Sequence, residues 1–129
     1  MRIAGTGVDI VEVERVAALT ERHGDRFVSR VFTQAEADYC RSRAVPAQHL
    51  AGRFAVKEAV LKALERGWLG GIAWRDVEVR NGPAGQPYVN LSGAAARRAH
   101  ELHIASMHVS LSHTRGWAIA HAIAEAEEE

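Results

Sequence analysis

Residues 47–67, AQHLAGRFAVKEAVLKALERG, carry the strongest helical pattern in the chain. At 100° per residue Leu50, Phe54, Leu61 and Leu64 share a narrow apolar stripe that Val60 widens, and Gly67 supplies a stop. Toward the N-terminus, Ile3 to Val11 reads as a strand, with Ala4, Thr6, Val8 and Ile10 alternating against Gly5, Gly7, Asp9 and Val11. A helix from Glu12 to His23 follows, apolar at Val13, Val16, Ala17 and Leu19 and ended by Gly24. Thr33 with Glu36 forms a capping-box pattern that opens a helix from Gln34 to Arg43. Toward the C-terminus, glycines and prolines punctuate two short strands, Asp76 to Arg80 and Tyr88 to Leu91. Ser92 and Gly93 open a further helix reaching about His103. Met107 to Ser112 and Trp117 to Ile123 close as a hairpin around Thr114 to Gly116. This order predicts a compact α+β fold, one domain over residues 1–129, with the long central helix packed on a small, mostly antiparallel sheet.

Composition narrows the function classes. With 129 residues, 47% hydrophobic and 25% charged, the balance is globular. No apolar run approaches the roughly 18–20 residues that a bilayer span needs, and the N-terminus reads as a strand, not a signal peptide, so a cytoplasmic protein is expected. Cys40 is the one cysteine, which leaves no intrachain disulfide and suits a small, half-buried helix residue. Formal net charge is zero, which argues against wholesale nucleic-acid binding. Arg15, Arg22, Arg26 and Arg30 nevertheless gather at helical spacings, as a basic patch for an acidic partner would. A solvated helix face is the alternative, because Glu21 and Asp25 lie in the same stretch.

The long helix also carries the chemistry. Lys57 falls inside the apolar stripe, where it can run its stem along the core and release its ammonium at the rim. Glu58 and Lys62 sit four apart on the flank, and an exposed pair of that kind stabilises a helix by only ~0.3–0.5 kcal/mol. That does not account for Arg53, Lys57, Glu58 and Lys62 together among apolar neighbours. A phosphate-rich ligand does, the bases meeting phosphate oxygens and a carboxylate holding a divalent cation. Magnesium typically takes one or two carboxylates and completes its shell with water and substrate phosphates, which makes Asp9 and Glu58 the natural pair. The glycines on the side of the strand that carries Asp9 remove side chains where a ligand could approach. The other reading of Asp9 is an N-cap ahead of the helix at Glu12.

Three further patterns fail on their chemistry. GTG at 5–7 lacks the third glycine and the βαβ setting of a dinucleotide fingerprint. His100 and His103 come without an HExxH pattern or cysteines, so no zinc site follows. Ser112 and His113 are strand neighbours on opposite faces, unable to form a serine–histidine hydrogen bond.

GVDIVEVER at 7–15, FTQAE at 32–36, LAGRFAVKEAVLKAL at 50–64, DVEV and GQPYV within 76–89, and HVSLSHT at 108–114 together resemble bacterial holo-(acyl carrier protein) synthases. The blocks stand in that family's order and nearly span the chain. The resemblance implies the 4'-phosphopantetheinyl transferase fold and transfer of 4'-phosphopantetheine from coenzyme A to a serine of an acidic acyl carrier protein, in fatty-acid or polyketide biosynthesis. It implies Mg2+ on Asp9 and Glu58, with coenzyme A between the KEA helix and the closing hairpin. Arg53, Phe54, Lys57, Lys62, His113 and Thr114 are then the substrate-binding candidates, and Glu58, Lys62 and His113 the catalytic ones. Arg15, Arg22 and Arg26 become candidates for carrier-protein recognition. The family forms trimers with active sites between subunits, and neither nucleic acid nor membrane is an implied partner. Two features depart from or lack a place in the pattern: RHGDR at 22–26 inserts a glycine and an acid into a helix end that is often more basic, and Trp68 and Trp74 have no chemical role beyond packing.

Overall fold

A computed structural model describes residues 1–65 and 71–128. The expected helix stop at Gly67 and the packing of Trp68 lie outside the described residues. The elements run β1 (Arg2–Glu12), α1 (Val13–His23), α2 (Asp25–Val31), α3 (Gln34–Arg41), α4 (Pro46–Ala63), a 3-10 turn (Trp74–Asp76), β2 (Val77–Asn81), β3 (Pro87–Leu91), α5 (Gly93–Glu101), β4 (Ile104–His113) and β5 (Trp117–Ala126). The expected α+β architecture is present, with α2 as an element that the periodicity did not announce. β1, β5 and β4 form an antiparallel sheet in that order, and β2 and β3 pair as a separate hairpin. The first strand is therefore held by the last, Asp9 standing opposite Ala120.

Small residues let α4 lie close against this sheet. β5 turns Ala118, Ala120, Ala122, Ala124 and Ala126 toward the helix, all buried, and α4 answers with Ala51, Ala55, Ala59 and Ala63 at four-residue spacing. On β1 the match is backbone to backbone. A Cβ at Gly7 would overlap the Ala59 carbonyl oxygen, and one at Gly5 the Ala63 carbonyl oxygen. The glycines beside Asp9 thus admit a helix rather than a ligand, which corrects the expectation from sequence. Around this contact Phe32, Leu61, Leu64, Val56 and Val60 are fully buried, each contributing roughly 1.5–3 kcal/mol of apolar burial.

Two further expectations change. The apolar stripe of α4 widens to nearly the whole circumference, because the sheet, α1, α3 and β2 all pack on it. The sidedness of β1 is also the reverse of an ordinary half-buried strand. Its glycine–aspartate side faces the core, while Val8 and Ile10 are 55% and 59% exposed beside Trp117 and Ile119 of β5 at 50% and 45%. Val8, Ile10, Trp117 and Ile119 therefore form an uncovered apolar patch on one face of the main sheet, continued by the exposed polar side chains of His121, Ser110 and Ser112.

Gly24 ends α1 with φ +54°, its N–H closing on the Thr20 carbonyl at 2.7 Å. The chain turns there before α2, so Arg15 and Arg22 belong to one helix and Arg26 and Arg30 to the next. The stop expected at Gly24 is present, so the four arginines are divided between two helices and do not follow one another along a single helix side. All four side chains remain exposed.

Candidate active site

Only three residues in the middle and last turns of α4 reach the surface. Phe54 and Glu58 are partly buried and Lys62 is exposed, while Ala55, Val56, Lys57, Ala59, Val60, Leu61 and Ala63 are buried. The three recur every four residues, so they form one open strip along a helix that is otherwise enclosed beyond its first turn. Phe54 packs on Trp74 with ring centroids 4.9 Å apart, which gives that tryptophan the packing role expected of it.

Asp9 closes the strip from the strand side. The Lys62 ammonium donates to the Val8 carbonyl at 2.8 Å and lies 3.2 Å from the Asp9 carboxylate. Asp9 is thus tied to the central helix and does not cap α1, whose N-cap residue is Glu12. Asp9 is one-fifth exposed and Lys62 half exposed, so both heads stay accessible from solvent. Glu58 sits one turn before Lys62 on the same strip. Strand and helix thereby bring Asp9, Glu58 and Lys62 into one neighbourhood. Among the described residues no three His, Cys, Asp or Glu side chains form a metal-holding group. Two hard carboxylates and a lysine suit a cation that shares its shell with a phosphate ligand.

Lys57 goes elsewhere. Its side chain is fully buried, and its ammonium donates to Glu36 Oε1 at 2.8 Å, to the Trp74 carbonyl at 3.1 Å and to the Val77 carbonyl. All three N–H donors are thereby used inside the chain. The ammonium does not reach the rim as the sequence suggested, and in this position it offers nothing to a phosphate. Burial draws its pKa below the ordinary lysine value, with the Glu36 carboxylate pulling the other way. Glu36 also accepts from the Thr33 backbone N–H and from the Val79 N–H, each at 2.9 Å. The Thr33 hydroxyl donates to Glu78 at 2.6 Å, which holds that carboxyl below its usual range. The FTQAE block is thus a junction that fastens α3, α4 and β2 together.

A second group gathers between the N-terminal half of α4 and the end of β4. A cleft of about 240 Å³ is lined by Tyr39, His49, Arg53, Asn81, Leu111 and His113 among others. Gly52 makes room for it, since a Cβ there would press on Leu111. Arg53 is 3% exposed, stacks 4.2 Å over the Tyr39 ring and donates to Asn81 Oδ1 at 2.6 Å. Its Nε has no hydrogen-bond partner among the described residues. His113 meets His49 edge to face, centroids 4.9 Å apart. Thr114 serves the hairpin turn: its N–H donates to the Trp117 carbonyl at 2.8 Å, and its hydroxyl accepts from the Gly116 and Trp117 N–H groups. None of Asp9, Glu58 and Lys62 lines this cleft, so the expected substrate residues fall into two separate groups within one chain.

The comparisons match this arrangement along nearly its whole length. Residues 5–122 match the 4'-phosphopantetheinyl transferase superfamily. A holo-[acyl-carrier-protein] synthase of Koribacter versatilis is 46% identical over 123 residues, covering 95% of this chain and 98% of that protein. The chain belongs to the holo-[acyl-carrier-protein] synthases of the 4'-phosphopantetheinyl transferase superfamily. The solved synthase of Neisseria meningitidis superposes with a TM-score of 0.87 at 30% identity, over 95% of this chain and 98% of that one. The synthase of Helicobacter pylori in complex with coenzyme A gives 0.82 at 29% identity, over 93% and 99%. The expected family, fold and enzyme class therefore hold for this synthase.

Sequence reading did not single out Tyr39, His49 or Asn81 in this synthase. His49 was the one within reach, since it precedes Arg53 by one helical turn and shares its side of α4. Tyr39 and Asn81 come from α3 and the end of β2, and no local spacing links them to Arg53.

Proposed function

We propose that this synthase moves 4'-phosphopantetheine from coenzyme A to a serine of an acidic acyl carrier protein, with Mg2+ as cofactor and 3',5'-ADP as the leaving product. The observation that carries the reading is the Asp9–Lys62 contact at 3.2 Å beside Glu58 on the open strip of α4. In the transfer the serine oxygen forms a bond to the β-phosphorus as the bond to the bridging diphosphate oxygen breaks. Asp9 and Glu58 are the residues that would hold magnesium, which supplies charge neutralisation at the diphosphate when bound. Lys62 directs a positive charge to the same region and favours the departing ADP. Glu58 is a candidate to receive the serine proton, and His113 is the alternative. Arg53 and His113 would bind the nucleotide end, with Phe54 beside the KEA strip and Thr114 holding the hairpin.

The reading extends to assembly and partner. The cleft at His113 and the strip at Asp9 are separate in one chain, and the open face of Val8, Ile10, Trp117 and Ile119 is apolar. Both support a homotrimer whose active sites lie between subunits. Exposed Arg15, Arg22 and Arg26 support docking of the acidic carrier. No described helix is long and apolar enough to cross a membrane, in keeping with a cytoplasmic enzyme of fatty-acid or polyketide biosynthesis. Residues 1–129 would then act as one transferase domain.

Apo carrier protein incubated with coenzyme A and magnesium should gain the mass of phosphopantetheine, read by mass spectrometry. Asp9→Asn and Glu58→Gln should each abolish the gain. Release of phosphopantetheine without a modified carrier would instead indicate hydrolysis and overturn the reading.

A further inference from the structure

The cleft between α4 and β4 is built for negative charge, yet it holds one base that the proposed reaction leaves without a task. His49 lines it beside His113, with ring centroids 4.9 Å apart and planes at 71°. Tyr39 of α3 closes the other side at 5.9 Å. Arg53 lies one turn further along α4, 97% buried, its Nε without a partner among the described residues. A buried guanidinium on a residue that lines a polar cleft, with one N–H donor unpaired, is a donor for an anionic oxygen.

The ionisable groups around His49 shape its protonation. From its own helix comes Arg53, from the segment joining α3 and α4 comes Arg43, from β4 comes His113 and from α3 comes Tyr39. The charges acting on it are all basic. Partial burial first, then His113, Arg43 and Arg53, hold its pKa below the ordinary histidine value of 6.5. Near neutral pH the imidazole is therefore uncharged while the cleft is empty. A phosphate group brings the opposite charge into the cleft, and an imidazolium then becomes favourable. The edge-to-face pair accommodates one such charge, because one ring can meet the π-face of its neutral neighbour. Two charges would repel.

We propose that His49 is the proton-linked member of the coenzyme A site: entry of a phosphate into the α4–β4 cleft converts His49 to an imidazolium, and binding takes up a proton. The idea rests on the reading above that coenzyme A occupies this cleft. The sign follows from linkage. Binding that raises a group's proton affinity is itself strengthened by protons, so affinity rises as pH falls between the bound-state and free-state pKa values of His49. Each unit separating those values corresponds to about tenfold in affinity.

The test uses the intact synthase with coenzyme A and with 3',5'-ADP. Calorimetry at pH 6, 7 and 8, in two buffers of different ionisation enthalpy, measures proton uptake. His49→Gln and His49→Phe provide the comparison. Wild type should take up protons and bind several-fold more tightly at the acid end, and both variants should take up fewer protons and show a flatter pH profile. In the wild-type protein itself, the NMR titration of the His49 ring should move to higher pH when ligand is bound. Unchanged proton uptake in the variants, or an unmoved His49 titration in a saturated complex, overturns this role while leaving coenzyme A binding intact. Failure of wild type to bind either ligand overturns the cleft assignment as well.

Discussion

The ammonium of Lys62 bridges from the last turns of α4 to β1, 3.2 Å from the Asp9 carboxylate and 2.8 Å from the Val8 carbonyl. Lys62 is half exposed, so solvent screening holds the pair's electrostatic share of folding stability to at most about 1 kcal/mol. On the proposed reading, its position beside Glu58 gives it much more leverage over transfer. Lys62→Met is expected to lower kcat for carrier modification by about 100-fold or more, as loss of an oriented charge at a reacting phosphate does. The melting temperature should change little. A large fall in melting temperature with near-normal kcat would make Lys62 a structural clamp instead.

Lys57 should behave in the opposite way. Removing one member of a buried ion pair strands the other, and Lys57→Met is expected to cost about 3–5 kcal/mol in urea unfolding. The double variant Glu36→Gln with Lys57→Met should recover part of that loss, because the remaining group is no longer charged. Additive losses in the double variant would show that the two side chains act independently.

Cys40 is fully buried at the base of α3, and burial pushes its pKa to about 11 from the ordinary 9.0. The native thiol should resist maleimide at pH 8 and react only as the protein unfolds. Its folded-state pKa is the higher one, so the associated stability is complete below about pH 9 and is lost as pH rises toward 11. Urea midpoints at pH 8, 9 and 10 should show that decline, and Cys40→Ala should flatten it. Rapid labelling of native protein would contradict the buried setting.

Gly7 and Ala59 meet backbone to backbone, so Gly7→Ala forces β1 away from α4. Overpacking of this kind costs typically 1–3 kcal/mol. Here it also displaces Asp9, two residues on, from Lys62. Both the unfolding midpoint and transfer activity should fall. A stable and fully active variant would show that the strand can move without disturbing the site.

The exposed sheet face offers a direct test of assembly. Ile10→Glu or Ile119→Glu places a charge on the apolar surface that the homotrimer would cover. Light scattering should register trimer for the parent and monomer for the variants, with far-UV circular dichroism retained. Trimers in both variants would put the subunit interface elsewhere.

Much of the architecture was written locally in the chain. Helical and alternating periods, Gly24 and the Thr33–Glu36 box are read within a few residues of themselves, so the order of elements other than α2 followed from sequence. Glu58 and Lys62 were legible for the same reason, since a four-residue step puts them on one strip of any helix. Periodicity states which residues share a side, but not what lies against that side. Tertiary packing therefore decided that the glycines of β1 face α4, that Val8 and Ile10 face outward, and that α4 beyond its first turn is enclosed except at Phe54, Glu58 and Lys62. It also turned Lys57 inward, because Glu36 and the carbonyls of Trp74 and Val77 satisfy an ammonium there. The meeting of His49 with His113 arose only when β4 folded back on α4. Such contacts depend on groups distant in the chain, whose approach is set by how the sheet and helices pack as a whole.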